Sequence, residues 1–145
     1  MLNIDDGKIQ KICEHAIKEY PNECCGILLG NREKESVWEI CRAGNAEGPD
    51  RRETHFRIDP LELYQIEIKA GKENMEIIGF YHSHANHPAM PSEEDLSLML
   101  PGLFYLIISA VRGVCTEVKC YRKTSFQGEI CETKIDSDYL QGGKS

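Results

Sequence analysis

From Ile9 to Tyr20 the apolar positions fall at Ile9, Ile12, Cys13, Ala16, Ile17 and Tyr20, a helical rhythm that makes one apolar face. Asp5 or Asp6 can accept the first free N–H groups of that helix, and Pro21 ends it. The rhythm then changes. "CCGILLG" is a continuous apolar run that suits a strand buried on both faces, and "SVWEIC" follows as a second strand after the polar turn "NREKE". Residues 42–53 are rich in glycine and charge and form a loop, with "HFRI" a short extended piece behind it. Asp59 followed by Pro60 starts a second helix, which runs to about Ala70 and stops at Gly71. "MEIIGFYHSH" is apolar and β-rich until its histidines. Ser92 and Asp95 then match the S-x-x-D start of a third helix with Leu96, Met99 and Leu100, closed by Pro101 and Gly102. "LFYLIISAV" is another buried strand, "RG" a turn, and "VCTEVKCY" and "GEICETKI" alternate like half-buried strands.

This order of elements, without repeat or linker, predicts an α/β fold: a single three-layer domain with a mixed β-sheet flanked by helices. The domain is expected over residues 1–136, and residues 137–145 show no packing pattern and read as a flexible tail.

Composition narrows the function classes. A chain of 145 residues fits one domain that builds its core without disulfide staples, and 41% hydrophobic with 28% charged residues is a globular balance. The net charge of -7 argues against nucleic acid as a partner, since phosphate binding needs a basic stripe. The apolar runs are too short to span a bilayer, and "MLNIDDGKIQ" has neither the basic nor the apolar part of a signal peptide. A cytoplasmic location is therefore expected. The seven cysteines are scattered with no C-x-x-C pair, so they read as reduced thiols, with Cys24 and Cys25 packing as small hydrophobes.

The chemistry concentrates in "HSHANHPAMPSEED", residues 82–95. Side chains alternate faces along a strand, so His82 and His84 present two imidazoles to one side while Ser83 points away. The loop from Ala85 to Pro91 contains two prolines, reverses the chain and delivers Ser92 and Asp95 beside the strand end. Ser92 and Asp95 alone would be a helix cap. A carboxylate has two oxygens, however, so capping and metal binding are compatible. Two imidazole nitrogens and one carboxylate oxygen form the three-ligand set that a catalytic zinc keeps, with water at the fourth position.

The stretch fits H-x-H-x(7)-S-x-x-D without a gap and is similar to the signature of the JAMM metalloproteases, also called JAB or MPN+ (Mov34/MPN). Upstream, "ECCGILLG" resembles the segment bearing that family's catalytic glutamate, and the order of elements is similar over nearly the whole chain. The resemblance implies a JAB/MPN, cytidine-deaminase-like fold with Zn2+ as cofactor. It implies His82, His84 and Asp95 as metal ligands, Glu23 as the general base and Ser92 as a hydrogen-bond donor to the reacting oxygen. His87 matches no ligand and stays a loop residue. His55, in "THFRIDP", resembles a segment flanking the substrate groove and takes no chemical role. His15 reads as solvated on the first helix.

The family hydrolyses amide or isopeptide bonds after the C-terminal Gly-Gly of ubiquitin or ubiquitin-like proteins. At 145 residues the chain resembles the compact prokaryotic type, which is linked to ubiquitin-like sulfur-carrier proteins. The resemblance thus implies a zinc isopeptidase acting on such a carrier or its conjugate. Three alternatives stand beside it. A non-catalytic MPN scaffold has no need of His82, His84, Asp95 and Glu23 together. A RadC-like JAB protein would bring an upstream DNA-binding domain and a basic surface. A two-His, one-carboxylate iron site leaves Ser92 and Glu23 without a task.

Overall fold

The structure, a computed structural model, describes residues 1–137. Its helices are α1 (Asp6–Glu19), α2 (Pro60–Lys72) and α3 (Glu93–Leu98). The strands are β1 (Leu2–Asn3), β2 (Cys25–Asn31), β3 (Ser36–Ala43), β4 (Glu76–Ala85), β5 (Phe104–Val111), β6 (Val114–Lys123), β7 (Ile130–Thr133) and β8 (Ile135–Asp136). They form one mixed sheet in the order β7-β6-β5-β4-β2-β3-β1-β8. The β4–β5 pair is parallel because α3 and its loops carry the chain back across the sheet. The expected tail falls, from residue 138 on, outside the described residues. Among the described residues no helix is long and apolar enough to cross a membrane.

Three layers result. On one face Ile12 and Ala16 of α1 pack against Leu28, Tyr81, Leu106 and Ile108. A fully buried Ile such as Ile12 contributes about 1.5–3 kcal/mol through the apolar area it withdraws from water. On the other face Leu63, Ile66 and Ala70 of α2 cover Ile27, Leu29 and Ile77, while Leu96 and Met99 cover Tyr105 and Ile107. Leu28 and its neighbours Ile27 and Leu29 thus serve opposite cores, as expected for a strand buried on both faces.

Several features depart from the sequence pattern. "GEICETKI" does not form one strand: β7 pairs with β6, and after Lys134 alone β8 pairs with β1 at the far edge of the sheet. The sheet therefore curls around α1, and Arg122 of β6 reaches Glu35 in the β2–β3 turn at 2.6 Å. Strands as short as β1 and β8 carry too few residues to show alternation. Helix α2 runs through Gly71, and Asn74, at φ 59°, supplies the left-handed turn after it. Helix α3 ends at Leu98, before Pro101. Ile17 is exposed, so the apolar face of α1 is narrower than its periodicity suggests. His15 is not solvated but buried, with its Nδ1 2.8 Å from the Tyr81 hydroxyl.

One irregularity sets the site. Leu28 pairs with Gly79 and Leu29 with Ile77, so Ile78 is an extra residue in β4. This bulge resets the alternation, because Ile78 points to the α1 core while Phe80 lies on the α2–α3 face. His82 and His84 follow Phe80 in phase, and Ser83 faces the other way.

Beside the bulge, Gly26 of β2 lies opposite Tyr81, and a Cβ there would sit 2.1 Å from the tyrosine ring. Tyr81 is fully buried and cannot yield. Gly26→Ala is expected to destabilise the fold by about 1–3 kcal/mol, as overpacking does, in a chemical denaturation experiment. Unchanged stability would mean that the ring is free to move.

Candidate metal centre

The candidate ligands come from two elements joined by a heavily anchored loop. Ser83, on the α1 face, accepts the Cys24 N–H at 2.8 Å, and its own N–H bonds Cys24 O at 3.0 Å. That locks the end of β4 to the residue after Glu23. From Asn86 on, the loop is tied to β5 and β6. Asn86 N–H donates to Ala110 O at 2.7 Å, and Asn86 Oδ1 accepts from the Tyr20 hydroxyl and the Arg112 N–H. Ser109 Oγ donates to His87 O, Ala89 N–H to Glu117 Oε1 and the Tyr121 hydroxyl to Ala89 O. The loop ends in a reciprocal cap: Ser92 Oγ accepts the Asp95 N–H at 3.0 Å and Asp95 Oδ2 accepts the Ser92 N–H at 2.9 Å.

The result is a near-equilateral triangle. His82 Nε2 and His84 Nε2 are 3.2 Å apart, and each is 3.1 Å from Asp95 Oδ2. His84 Nδ1 lies 2.9 Å from Pro88 O. A carbonyl oxygen can only accept, so Nδ1 carries the hydrogen and the neutral ring presents a lone pair at Nε2. Burial holds His82 below the usual histidine range. Burial pulls His84 down as well, but its hydrogen bonds to Asp95 and Pro88 outweigh that and raise it. Burial alone would raise Asp95, yet the hydrogen bonds with both histidines hold its carboxyl far below the usual carboxylate range. Three electron-rich atoms this close require positive charge among them. Ligand atoms on one tetrahedral zinc, bonded at about 2.0–2.1 Å, stand about 3.3 Å apart. The group therefore fits zinc in atom type, spacing and tautomer.

Glu23 is brought to the same strand end. Its N–H donates to Arg52 O at 2.7 Å, its carbonyl accepts from Asn45 Nδ2 at 3.0 Å, and Cys25 lies directly beside His82 in the sheet. Glu23 is only 6% exposed. Burial pushes its carboxyl up to about 8; His84 opposes this, and Asp95 and Glu94 add to it. The five residues expected from the sequence to carry the site are thus gathered: the His82–His84–Asp95 triangle, Ser92 in the cap on Asp95, and Glu23 beside it.

Phe56, which the local pattern does not single out, and His55, in the segment expected to flank the groove, join them. Phe56 stacks on the His82 ring at 4.5 Å, and His55 reaches Glu94 at 3.0 Å, pinning the 44–59 loop across α3. His87 is exposed and takes part only through its backbone carbonyl. Beside the triangle opens a cleft of about 430 Å3, walled by Phe56, Ile58, Phe80, Leu98 and Met99, with His82 and Asp95 on its lining. The arrangement can hold a divalent ion, place a buried carboxyl next to it and receive an extended chain along an apolar wall.

Comparison with known proteins accords with this geometry. A family model described as prokaryotic homologs of the JAB domain matches residues 7–122. The chain is 31% identical over 105 residues to a desampylase of Haloferax volcanii, covering 72% of this chain and 74% of that protein. It is 28% identical over 125 residues to a CysO-cysteine peptidase of Mycobacterium bovis, covering 84% and 82%. A solution structure of a protein from Desulfitobacterium hafniense superimposes with a TM-score of 0.79 at 29% identity, covering 94% of this chain and 92% of that one. With most of its length inside the family match, this chain belongs to the prokaryotic homologs of the JAB domain and is a hydrolase of the JAMM type.

Proposed function

We propose that this protein is a zinc-dependent peptidase or isopeptidase that hydrolyses the amide bond after the C-terminal Gly-Gly of a ubiquitin-like protein of sulfur-carrier type, in the cytoplasm. One observation carries the reading: a buried carboxyl, Glu23, stands at the same strand end as a triangle of ligand atoms that demands a cation. The names of the relatives, a desampylase and a CysO-cysteine peptidase, support the substrate class.

In this reading His82, His84 and Asp95 hold the metal, Glu23 is the general base and Ser92 the donor to the oxyanion. Zinc there would supply Lewis acidity, lowering the pKa of water to about 7 and drawing charge from the scissile carbonyl. Glu23 takes one proton from the attacking water and passes it to the departing amine as the C–N bond breaks. The hydroxyl stays on the new carboxyl group. Ser92 Oγ accepts the Asp95 N–H, which leaves its own hydrogen free to donate to the oxygen that gains charge. Pro88 O, through His84 Nδ1, keeps the His84 lone pair on the metal side. The walls at Phe56 and Leu98 favour a tail without side chains, because glycine lets the backbone approach closely.

Glu23→Gln separates these roles. The amide keeps the shape but cannot accept a proton, so metal content is expected to hold while hydrolysis falls at least about a hundredfold. The same variant has a second signature. A Glu23 carboxyl near 8 in the fold, against 4.5 when unfolded, binds a proton that the unfolded chain releases between those values. The metal-free protein therefore loses stability relative to Glu23→Gln as pH rises through that window, on the order of a few kcal/mol in total. Parallel stability curves for the two proteins would show that Glu23 is not buried as described.

The substrate assignment is tested with metal-loaded protein and ubiquitin-like carriers ending Gly-Gly-X, Gly-Ala-X and Ala-Ala-X. The first is expected to be cleaved at least about tenfold faster than the others, since each Cβ must enter the cleft. Equal cleavage of all three would make the enzyme a general peptidase.

A further inference from the structure

The bare nitrogen of His84 depends on Pro88 O, which accepts two hydrogen bonds: from His84 Nδ1 at 2.9 Å and from the Met90 N–H at 2.8 Å. Both lone pairs of that oxygen are thus used. The N–H at the other end of the same peptide unit belongs to Ala89, a fully buried residue, and it donates to Glu117 Oε1 at 2.8 Å. Because a peptide unit is planar, fixing its N–H fixes the direction of its C=O. A single peptide therefore connects a carboxylate of β6 to a candidate metal ligand on β4.

The sheet sets up this connection. His84 pairs with Ser109, and Ser109 with Glu117, so the three lie in one row across β4, β5 and β6 with their side chains on one face. The loop after β4 folds back over that row. Ser109 Oγ donates to His87 O, Glu117 takes the Ala89 N–H, and the Tyr121 hydroxyl, on the same face of β6, donates to Ala89 O. Of these three contacts only that of Glu117 is charged, and only it acts on the Pro88–Ala89 peptide. The other Glu117 oxygen lies 3.9 Å from Lys119 Nζ, an exposed pairing that contributes little. A negative acceptor on the N–H draws electron density toward the carbonyl oxygen, as in chains of hydrogen bonds that polarise one another. A more negative Pro88 O holds the His84 Nδ1 hydrogen more firmly and makes Nε2 a better donor of its lone pair.

We propose that Glu117 is a positioning residue of the metal centre: through the Pro88–Ala89 peptide it holds and polarises the carbonyl that keeps the His84 Nε2 lone pair on the metal side. This rests on the reading of His82, His84 and Asp95 as zinc ligands and adds a residue outside their motif that sets their affinity.

The test is zinc affinity, measured by competition with a chromogenic chelator on wild type, E117Q and E117A, with the melting temperature of each metal-free protein as a check on folding. Glutamine keeps an acceptor for the Ala89 N–H without the charge, and alanine removes both. E117A is expected to bind zinc at least about tenfold more weakly than wild type, and E117Q to recover part of that loss. In NMR spectra of the zinc-loaded proteins the His84 Nδ1 proton is expected to move upfield in E117Q, as its acceptor weakens. Wild-type affinity in E117A, or an unmoved Nδ1 proton in E117Q, overturns the inference and leaves the zinc reading standing. Equal losses in E117Q and E117A overturn it too, because a carboxylate acting on the ion only through space would give them. Should E117A not fold, E117Q decides: weaker binding with the upfield proton supports the inference, and wild-type affinity overturns it. Absence of zinc binding by wild type overturns both readings.

Discussion

Two imidazole nitrogens and a carboxylate oxygen held 3.1–3.2 Å apart repel one another unless positive charge lies among them. Much of the fold serves to keep them there. The extra residue Ile78 in β4 turns both histidines to the face where α3 lies. Pro88 O fixes which nitrogen of His84 is bare. The Ser92–Asp95 cap fixes the carboxylate, and anchors from Tyr20, Ser109, Glu117 and Tyr121 hold the loop between them. Without a cation the nearest remedy is protonation of His84, and its raised pKa reports the same demand.

The same field reaches Glu23. Burial raises its carboxyl to about 8, and Asp95 and Glu94 add to that, while positive charge at His84 works against it. A cation at the triangle would act in the same sense as that charge and favour the ionised form a general base needs. In the proposed reading burial and ligand geometry are parts of one electrostatic design: without an ion Glu23 would be a poor base, and His84, whose charge opposes the rise in its pKa, would be one of the ion's ligands.

What could be read from the chain was what is local in it. His82, His84, Ser92 and Asp95 lie within fourteen residues, and both their spacing and the alternation of a strand are sequence properties. Asp5 and Asp59 act as caps, as their places before α1 and α2 suggest. What escaped depends on contacts distant in sequence. The bulge at Ile78 exists only against Leu28 and Leu29. Phe56 finds His82 only after the 44–59 loop folds over the site, and His15 is buried because Tyr81, sixty-six positions on, crosses above Gly26. Strands β1 and β8 arise because the sheet curls until its edges meet, and no residue pattern announces a curl. Glu23 lies between these cases: its place before a buried strand marks it, but its burial and its distance from water come from Arg52 and Asn45.

The most direct measurement is anomalous diffraction at the zinc absorption edge from crystals of the protein grown with zinc. The account predicts one strong peak about 2.0–2.2 Å from His82 Nε2, His84 Nε2 and an Asp95 carboxylate oxygen, with His84 Nδ1 still on Pro88 O. A peak held by other residues, or none at the triangle with zinc in excess, would contradict it.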